Sequence, residues 1–506
     1  MFLSLTGQDT TKIRLLNADE QIYSEAFGDI QRLIGHVAFK HDSTYLYCDS
    51  AHLQNDLTYF DGYNNVKIIV NDSITIFSGK LHYDTETKLA ELYENVRLVS
   101  KTSTLFTDEL FYNRRTGIAY YLKGGKIVDS TNTLTSRKGY YYTQGEYAYF
   151  KDSVVLLNPQ YKVVSDTLRY DPNTEISNFF GPTYIYSEEN TIYCENGWYN
   201  SKTDEAQFNE NAYIINGNNI MRGDSLYYDR KRDFGEAHKN VSMIDTVENI
   251  IISGEKGQFF NKEGFAYVTD KALAALAEDG DTLFLHADTL HIEFDSTQTA
   301  RLMNAYYKAR FYKTDLQGYC DSLAYFLQDS VIRMYGTPVL WSEENQLTGD
   351  SILLAFRNKE MDSIAMMNNA MIISVDDSVH RFFNQIQGKL ITGNFVNNKL
   401  VRMKATGNAK SVYFIRDDKD SSLIGINITT AKYLQMYFRD NRLRRITNYV
   451  NVEGKIYPLE KIQPADMRLK GFIWRENLRP ASKEDLFDEK KYLLPSGEKE
   501  TEQAEK

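Results

Sequence analysis

Apolar and polar residues alternate along short segments of this chain, and the alternation recurs about every 29 residues. In one such segment Leu81 and Tyr83 point to one face of an extended chain, while Lys80 and His82 point to the other. Turn-forming residues follow, and a second alternating segment begins at Leu89. Each repeat is therefore predicted to be two antiparallel strands joined by a hairpin.

Three positions define the repeat. The first is a position that we call the anchor, which recurs every 29 residues from Gly79 to Asp224. The second is a tyrosine four residues after the anchor, and the third is an aliphatic residue or Met nineteen residues after it. The anchors are Gly79, Asp108, Arg137, Asp166, Glu195 and Asp224. The tyrosines are Tyr83, Tyr112, Tyr141, Tyr170, Tyr199 and Tyr228. The third positions are Leu98, Ile127, Leu156, Ile185, Ile214 and Met243. A period in this range is typical of one supersecondary unit stacked many times.

The repeat begins near Asp49 and becomes less regular after Asp224, with later anchors at Glu255, Asp288, Asp321, Asp350, Gly388 and Ala431. We expect about 13 repeats, within one repeat domain over residues 20–460. Residues 1–19 are expected to be an N-terminal segment that retains the remainder of a secretion signal, and residues 461–506 a largely disordered, highly charged extension. The Ala-rich stretch Lys271–Ala277 is predicted to be an inserted loop or a short helix.

Composition supports a β protein with a substantial core. Apolar residues make up 42% of the chain and aromatic residues 13%, while there are only 8 prolines in 506 residues. The formal net charge of −11 argues against binding to nucleic acid. No apolar run reaches the roughly 18 residues that a transmembrane helix needs.

The three cysteines share one position in the repeat. Cys48, Cys194 and Cys320 each stand directly before an acidic anchor, where other repeats have Ser, Thr, Gly or Ala. Because their number is odd and the slot otherwise holds small residues, we interpret it as a packing position rather than a disulfide, redox or metal site.

The sequence contains no recognisable catalytic or metal-binding constellation. His36 and His41, and likewise His286 and His291, are five residues apart, which places them on opposite faces of a strand. Phosphate-binding loops, nucleophile elbows and zinc spacings are absent from the sequence. We therefore expect no enzyme activity, no cofactor and no metal.

The stripes of Leu and Tyr have two interpretations. They could be the packed core between two sheets, with aromatic ladders across the strands. They could instead line a continuous apolar trough that is open along one side. A trough made of near-identical short units would suit a ligand with long, uniform hydrocarbon chains, and the residues alone leave both interpretations open.

Several segments resemble the OstA-like, organic-solvent-tolerance family. They are residues 89–98 (Leu-Ala-Glu-Leu-Tyr-Glu-Asn-Val-Arg-Leu), Asp281–Leu290, Gly388–Phe395 and Leu400–Ala409. The resemblance extends over roughly residues 20–460. It implies an all-β fold, an elongated antiparallel β-taco or jellyroll in which two sheets form a V around lipid acyl chains. It also implies a periplasmic bridge in the lipopolysaccharide transport of Gram-negative bacteria, without catalytic residues.

This chain departs from the compact bridge proteins in having about twice as many repeats, and it lacks the large barrel of the outer-membrane member.

From the resemblance we expect the chain to bind lipopolysaccharide or lipid A and to pass it across the periplasm to the outer membrane, with which it could also associate. Expected partners are the inner-membrane exporter and the outer-membrane barrel translocon, joined by edge-strand addition, with end-to-end self-association as a further expectation. The candidate groove residues are Leu81, Tyr83, Leu98, Leu110, Tyr112, Ile127, Leu156, Leu168, Tyr170, Ile185, Ile214, Leu226 and Tyr228. The alternative hypothesis is a structural or adhesive cell-surface β-solenoid with a closed core, which outward-facing aromatic residues along one strand position would favour.

Overall fold

The computed structural model describes residues 13–24, 28–41, 43–54, 58–70, 73–188, 190–247, 249–278, 281–296, 299–358, 360–376, 382–397, 399–417, 422–439 and 442–492. Antiparallel strands dominate these residues, and the predicted all-β class is confirmed. The helical elements within the described ranges are four short 3-10 turns, Leu459–Lys461, Pro464–Met467, Glu476–Leu478 and Glu484–Phe487. In the part of the chain that is described, no helix is long and apolar enough to span a membrane.

The chain divides into two compact units. Unit 1 contains residues 1–217 and 223–231, and unit 2 contains residues 218–222 and 232–506. The strands up to the boundary are β1 (Arg14–Asn17), β2 (Glu20–Tyr23), β3 (Ile30–His41), β4 (Thr44–Gln54), β5 (Tyr59–Val70), β6 (Ile74–Asp84), β7 (Leu89–Val99), β8 (Thr104–Asn113), β9 (Ile118–Tyr121), β10 (Gly125–Val128), β11 (Thr133–Ser136), β12 (Lys138–Tyr142), β13 (Tyr147–Leu157), β14 (Tyr161–Asp171), β15 (Ile176–Ser187), β16 (Asn190–Asn200), β17 (Glu205–Asn216) and β18 (Asn219–Asp229).

The remaining strands belong to unit 2. They are β19 (Phe234–Asp245), β20 (Ile250–Phe260), β21 (Phe265–Thr269), β22 (Leu273–Glu278), β23 (Asp281–His286), β24 (Thr289–Phe294), β25 (Ala300–Lys313), β26 (Leu316–Phe326), β27 (Val331–Tyr335), β28 (Val339–Ser342), β29 (Asn345–Thr348), β30 (Ser351–Arg357), β31 (Glu360–Val375), β32 (Phe383–Val396), β33 (Lys399–Arg416), β34 (Leu423–Arg439), β35 (Arg442–Tyr449) and β36 (Glu453–Pro458).

A corner recurs in every second strand. At each corner the backbone enters the left-handed region, which L-residues adopt rarely and which Asn and Asp tolerate better than most. The pairing register shifts by the same two residues, for example between Tyr63 and Val66 in β5. Corners with two consecutive left-handed residues include Gly35–His36, Asn64–Asn65, Glu94–Asn95, Asp152–Ser153, Glu210–Asn211, Lys239–Asn240, Asp270–Lys271, Gly336–Thr337, Asn368–Asn369 and Gly407–Asn408. These bulges bend each strand into two arms.

The anchors lie opposite the corners. The backbone N–H of Arg137 donates to the carbonyl of Asp152 at 3.0 Å, and that of Glu255 donates to the carbonyl of Asp270 at 2.8 Å. At several acidic anchors the carboxylate also accepts a side-chain hydrogen bond from the corner. Three such bonds are Asn65 Nδ2 to Asp49 (2.8 Å), Asn211 Nδ2 to Glu195 (3.0 Å) and Asn369 Nδ2 to Asp350 (3.0 Å). The acidic anchors therefore stabilise the bend.

The small residue directly before each anchor also helps to stabilise the corner. The hydroxyls of Ser78, Thr107, Ser136 and Ser165 each donate to the carbonyl two residues later, at 3.0 to 3.1 Å. These hydroxyls face inward and are buried, so the bond satisfies both the hydroxyl and a carbonyl at the bend. In the repeats with Cys48, Cys194 and Cys320 the slot is filled by a buried thiol.

The two arms of unit 1 enclose a shared apolar interior. We call arm A the sheet that contains Leu81, Leu92 and Leu110, and arm B the sheet that contains Ile76 and Leu98. Residues of both arms belong to one continuous cluster, so the bend brings the two sheets face to face.

Unit 2 repeats this arrangement. Its arm A contains Leu323 and Met334, its arm B contains Leu285 and Leu340, and all four belong to one cluster. Strands such as β27 and β28, or β29 and β30, are the two arms of one folded strand, separated only by the corner residues.

The prediction of a loop or helix at Lys271–Ala277 was wrong. Leu273–Glu278 forms β22, which pairs with β20 on one side and β23 on the other. The Ala-rich composition favours a helix locally, but the ladder partners on both edges and the small size of Ala in a buried arm override that preference.

Residues 459–492 run over the outer face of arm B in unit 2, and we call them the strap. Ile462 packs against Phe414, Trp474 against Phe383, and Leu478 near Trp341. The strap is part of the segment that the charge pattern predicted to be a tail. Residues 493–506 lie outside the described ranges.

Near the end of the strap, the ring of Phe487 packs against His286 in a tilted arrangement, with the ring centroids 4.6 Å apart. His286 is buried, and its Nδ1 lies 2.7 Å from the carbonyl oxygen of Ala272. The imidazole is therefore enclosed between the sheet and the strap.

The corner asparagines allow a first prediction. Asn65→Ala removes the bond to Asp49 and places a Cβ-bearing residue without a local partner at φ 48°, so we expect a loss of about 1–2 kcal/mol. Asn65→Gly loses the same bond but adopts this backbone freely, so it should be less destabilising. Thermal unfolding of both variants, with the exposed Lys162→Ala as a control, tests this. Equal midpoints for the Ala and Gly variants would show that the left-handed corner carries no strain.

The environment of His286 makes stability depend on pH. The pKa of His286 is lowered, mainly by burial and also by the nearby Arg310 guanidinium. The hydrogen bond to the carbonyl of Ala272 and the charges of Glu489 and Asp288 raise the pKa and oppose this effect only in part. The unfolded state therefore binds the proton more readily, and stability falls as pH drops below the ordinary histidine value of about 6.5.

We expect His286→Phe to reduce the slope of the melting temperature between pH 7.5 and 5.5, even if its stability at pH 7.5 is lower. The same series in the exposed His238→Phe variant serves as the control. An unchanged slope in the His286 variant would contradict the assignment.

Candidate functional site: an apolar groove between the arms

Arm B of unit 1 carries an aliphatic lane that crosses its strands without interruption. Each member is the direct cross-strand neighbour of the next, so that the lane faces the interior throughout. Its members, in order, are Leu46, Ile68, Ile76, Leu98, Leu105, Ile127, Leu134, Leu156, Val163, Ile185, Ile192 and Ile214. The structure thus brings together all five predicted arm B residues, Leu98, Ile127, Leu156, Ile185 and Ile214.

Arm A carries a facing lane with more variation in size. Leu81, Leu92 and Leu110 are cross-strand neighbours. Further along, Gly139, Phe150, Leu168, Phe179, Gly197 and Phe208 are neighbours in the same way. Two of these positions need glycine, because a Cβ on Gly139 would lie 2.4 Å from the Tyr121 ring and one on Gly197 would lie 2.5 Å from the carbonyl oxygen of Gln207.

Exposure increases with distance from the corner. Leu110, Leu168 and Leu226, two residues past their anchors, are each 2% exposed. The predicted tyrosines stand two residues further out. Of these, Tyr83 is buried, Tyr112 and Tyr228 are half-buried, and Tyr170 is 37% exposed. The five predicted aliphatic residues of arm B are all half-buried. The interior is therefore a closed core beside the corner and keeps accessible apolar surface toward the free ends of the arms.

Unit 2 contains a cavity of about 390 Å³ between its two arms. This volume falls in the range of about 300–1,000 Å³ that is usual for ligand sites. Arm B contributes Leu276, Leu283, Leu285, Phe311 and Leu316, and arm A contributes Met303, Leu323, Tyr325, Ile332 and Leu354. Most of the wall is aliphatic or aromatic.

Polar groups also line this cavity, with both signs of charge. Asp245 and Asp315 are carboxylates, Lys313 is a cation, and Thr299 and Gln328 are neutral. Because the charges are few and mixed, the apolar wall dominates the character of the cavity.

None of the thirteen predicted groove residues lines this cavity, since all of them lie in unit 1. The cavity was not predicted from the sequence because the 29-residue spacing becomes irregular after Asp224. One signal was available. Leu283 and Leu285 alternate with Phe284 and His286, which is the same period-two pattern as in the regular repeats.

The described residues offer little for chemistry. They contain no group of three or more His, Cys, Asp or Glu side chains placed to hold a metal ion. His36 is paired with Asp19 at 2.7 Å and His82 with Asp61 at 2.6 Å, both as isolated pairs. The arrangement can therefore offer apolar contact along a groove, and it shows no assembled acid, base and nucleophile.

Comparison with known proteins agrees with the repeat motifs. Residues 10–166 match the family model described as OstA-like protein, which confirms the predicted resemblance over these residues. No curated protein matches the chain. Among solved structures, the chain is similar to LptH from Pseudomonas aeruginosa, described as the LptA homologous periplasmic component of the conserved lipopolysaccharide transport device. The two are 18% identical, and the match covers 21% of this chain and 81% of that one, with a TM-score of 0.20.

The burial of Leu110 predicts the effect of a charge in the closed part of the interior. Leu110→Asp would place an unpaired carboxylate next to Leu92, so we expect unit 1 to lose its cooperative unfolding rather than only its ligand. Leu110→Ala should fold but lose about 2–5 kcal/mol. Circular dichroism melting tests both variants, and a fully folded Leu110→Asp protein would show that this position is solvated.

The cysteine slot predicts low thiol reactivity. Burial raises the pKa of Cys48 to about 11 and that of Cys194 to about 12, and it raises the pKa of Cys320 as well. We expect no reaction of the native protein with Ellman's reagent at pH 8, and three thiols per chain after unfolding in guanidinium. Rapid labelling of any thiol in the native protein would contradict the packing role.

Proposed function

Because residues 10–166 are OstA-like, we propose that this chain binds the acyl chains of lipopolysaccharide or lipid A in its interior groove and helps to pass them across the periplasm to the outer membrane. The observation that carries the proposal is the accessible apolar surface between the arms, seen in the half-buried members of the unit 1 lane and in the cavity of unit 2.

Burial of hydrocarbon supplies the affinity in this proposal. Each methylene transferred from water into an apolar wall contributes about 0.8 kcal/mol, so one long acyl chain gains several kcal/mol. The lane of unit 1 repeats the same kind of side chain at each strand. A uniform wall lets a chain move along it without a single site at which binding is much tighter.

The open edges of the sheets suggest how the chain would meet its partners. In unit 1, the short strands β1 and β2 both pair with β3, and among the described residues no other strand pairs with β1 or β2. We propose that the inner-membrane exporter and the outer-membrane barrel translocon join by strand addition, and that copies can associate end to end in the same way.

One observation favours the alternative of a structural or adhesive surface protein. On the outer face of arm A, Phe111, Tyr120 and Tyr140 form a ladder with ring centroids 5.0 and 6.0 Å apart. The rings lie nearly parallel, so their faces are largely covered by one another. Cross-strand packing explains such a ladder without a bound sugar.

Site-specific photocrosslinking distinguishes these functions. The photoreactive residue p-benzoylphenylalanine replaces either Ile127 or Leu276, which face the interior of unit 1 and of unit 2. It replaces Lys126 or Ala275 in matched controls, because these direct sequence neighbours point to the opposite face. The variants are expressed in a Gram-negative host, irradiated in cells and probed for lipopolysaccharide adducts.

We expect adducts at Ile127 and Leu276 and none at their neighbours. Adducts at Lys126 and Ala275 alone would indicate surface contact and reject the groove. An absence of lipid adducts at all four positions, in variants that fold, would favour the structural or adhesive alternative.

A further inference from the structure

The strap is held to unit 2 by buried glutamines that bind its backbone. Gln346 accepts a hydrogen bond from the N–H of Arg475 at 2.7 Å and donates one to the carbonyl of Ile473 at 2.8 Å. Its side chain is fully buried, with an exposed fraction of 0%. The side-chain amide thus pairs with the strap as a neighbouring strand would.

A second glutamine repeats this arrangement further along the strap. Gln385, which is 1% exposed, accepts from the N–H of Leu469 at 2.7 Å and donates to the carbonyl of Met467 at 2.8 Å. A buried amide that lost these partners would be left unsatisfied, which is costly. This face of the sheet is therefore specifically suited to an extended backbone.

A buried arginine holds the last part of the strap. Arg310 is 0% exposed, and it donates to the carbonyl of Leu486 at 2.7 Å and to the carboxylate of Glu489 at 2.9 Å. Its guanidinium lies 4.2 Å from the centre of the Tyr492 ring, which stacks on Tyr319 at 5.7 Å. Polar and aromatic contacts fix the strap at both of its ends.

Three of the strands below the strap, β25, β26 and β28, also form part of the cavity wall. Along arm B, residues that contact the strap alternate with residues that line the cavity. The strap is contacted by Arg310, Gln317 and Trp341. A direct sequence neighbour of each lines the cavity, namely Phe311, Leu316 and Ser342 respectively. One layer of backbone therefore separates the strap from the cavity.

We propose that the strap is a positioning element for the lipid groove: through Gln346, Gln385 and Arg310 it holds arm B of unit 2 in the position that keeps the cavity formed. The choice of an apolar ligand rests on the proposed function, whereas the coupling between strap and cavity wall does not. The three named residues act through the strap and have no contact with the cavity.

The test uses the full chain with Gln346 and Gln385 both changed to Met. Met has a similar volume and removes four hydrogen bonds to the strap.

The matched control is Gln387→Met, because Gln387 donates a single hydrogen bond to the Lys470 carbonyl at an exposed position. A second control, Tyr492→Phe, keeps the ring contacts and removes only a hydroxyl that has no hydrogen-bond partner among the described residues. If the double variant does not fold, the single Gln346→Met and Gln385→Met variants replace it.

Three readouts separate the strap, the wall and the ligand. Limited trypsin digestion reports release of the strap, which contains Lys470, Arg475 and Lys483. Hydrogen exchange reports the backbone of β23 and β28 in the cavity wall. Binding of the uncharged fluorophore N-phenyl-1-naphthylamine reports the cavity itself.

We expect strap cleavage to be at least about tenfold faster in the double variant, since each lost hydrogen bond corresponds to a factor of roughly five. Exchange in β23 and β28 should rise with it, and the affinity for the fluorophore should fall by about fivefold or more. Both controls should behave as the unchanged protein does.

A released strap with unchanged exchange in β23 and β28 would overturn the inference, whether or not the fluorophore binds. Unchanged strap cleavage in the double variant would overturn it too, because the glutamines would then not hold the strap. Failure of the unchanged protein to bind any apolar probe would count against the proposed function instead, and the exchange readout would still decide the role of the strap.

Discussion

The fold depends on a bend that every strand must make at the same place. Neighbouring strands share a ladder, so a corner in one strand can be accommodated only if the adjoining strands bend beside it. Pairs such as Asn64 and Asn65 supply the left-handed backbone, and anchors such as Arg137 and Glu255, on the strand before the corner, donate their N–H groups into the bend. The recurrence of this corner fixes the length of the repeat, since each unit must return the chain to the same point. The period seen in the sequence is therefore the distance along the chain between successive corners.

The same bend accounts for the character of the interior. Side chains beside the corner are pressed together, as Leu110 and Val96 are, and they form a conventional core. Further from the corner, residues such as Ile127 and Leu156 keep part of their apolar surface accessible. The interior of each unit thus combines features of both interpretations, a packed core beside the corner and accessible apolar surface further out. The packed residues beside the corner contribute most of the apolar burial, and the proposed lipid binding uses the accessible surface further out.

Much of this architecture was predictable from the repeat. Strict alternation at positions such as Leu81 and Tyr83 identified the strands and their inward face, and the small-residue slot identified Cys48 as a packed thiol. The roles of the anchors were not predictable, because a hydrogen bond between Asp49 and Asn65 joins residues on different strands. The strand at Leu273–Glu278 was missed because its composition favours a helix and only its ladder partners decide otherwise.

The strap was beyond the reach of the sequence pattern for a different reason. Its many charged residues are typical of a solvated tail, and its attachment depends on Gln346 and Gln385, which lie about 130 and 80 residues earlier in the chain. The cavity of unit 2 was missed because the spacing of the anchors lengthens there. A pattern of neighbouring residues does not show which distant residues pair, and a repeat is no longer recognised where its spacing becomes irregular.

We propose above that apolar surface inside this protein binds lipid acyl chains. Native mass spectrometry of the protein purified from a Gram-negative host, followed by organic extraction and analysis of the released lipid, tests it most directly. The account predicts a mass shift that corresponds to lipid A-containing species and disappears on extraction. A protein that emerges without lipid and takes up none when lipopolysaccharide is added would contradict it, and would show that the interior functions only as a core.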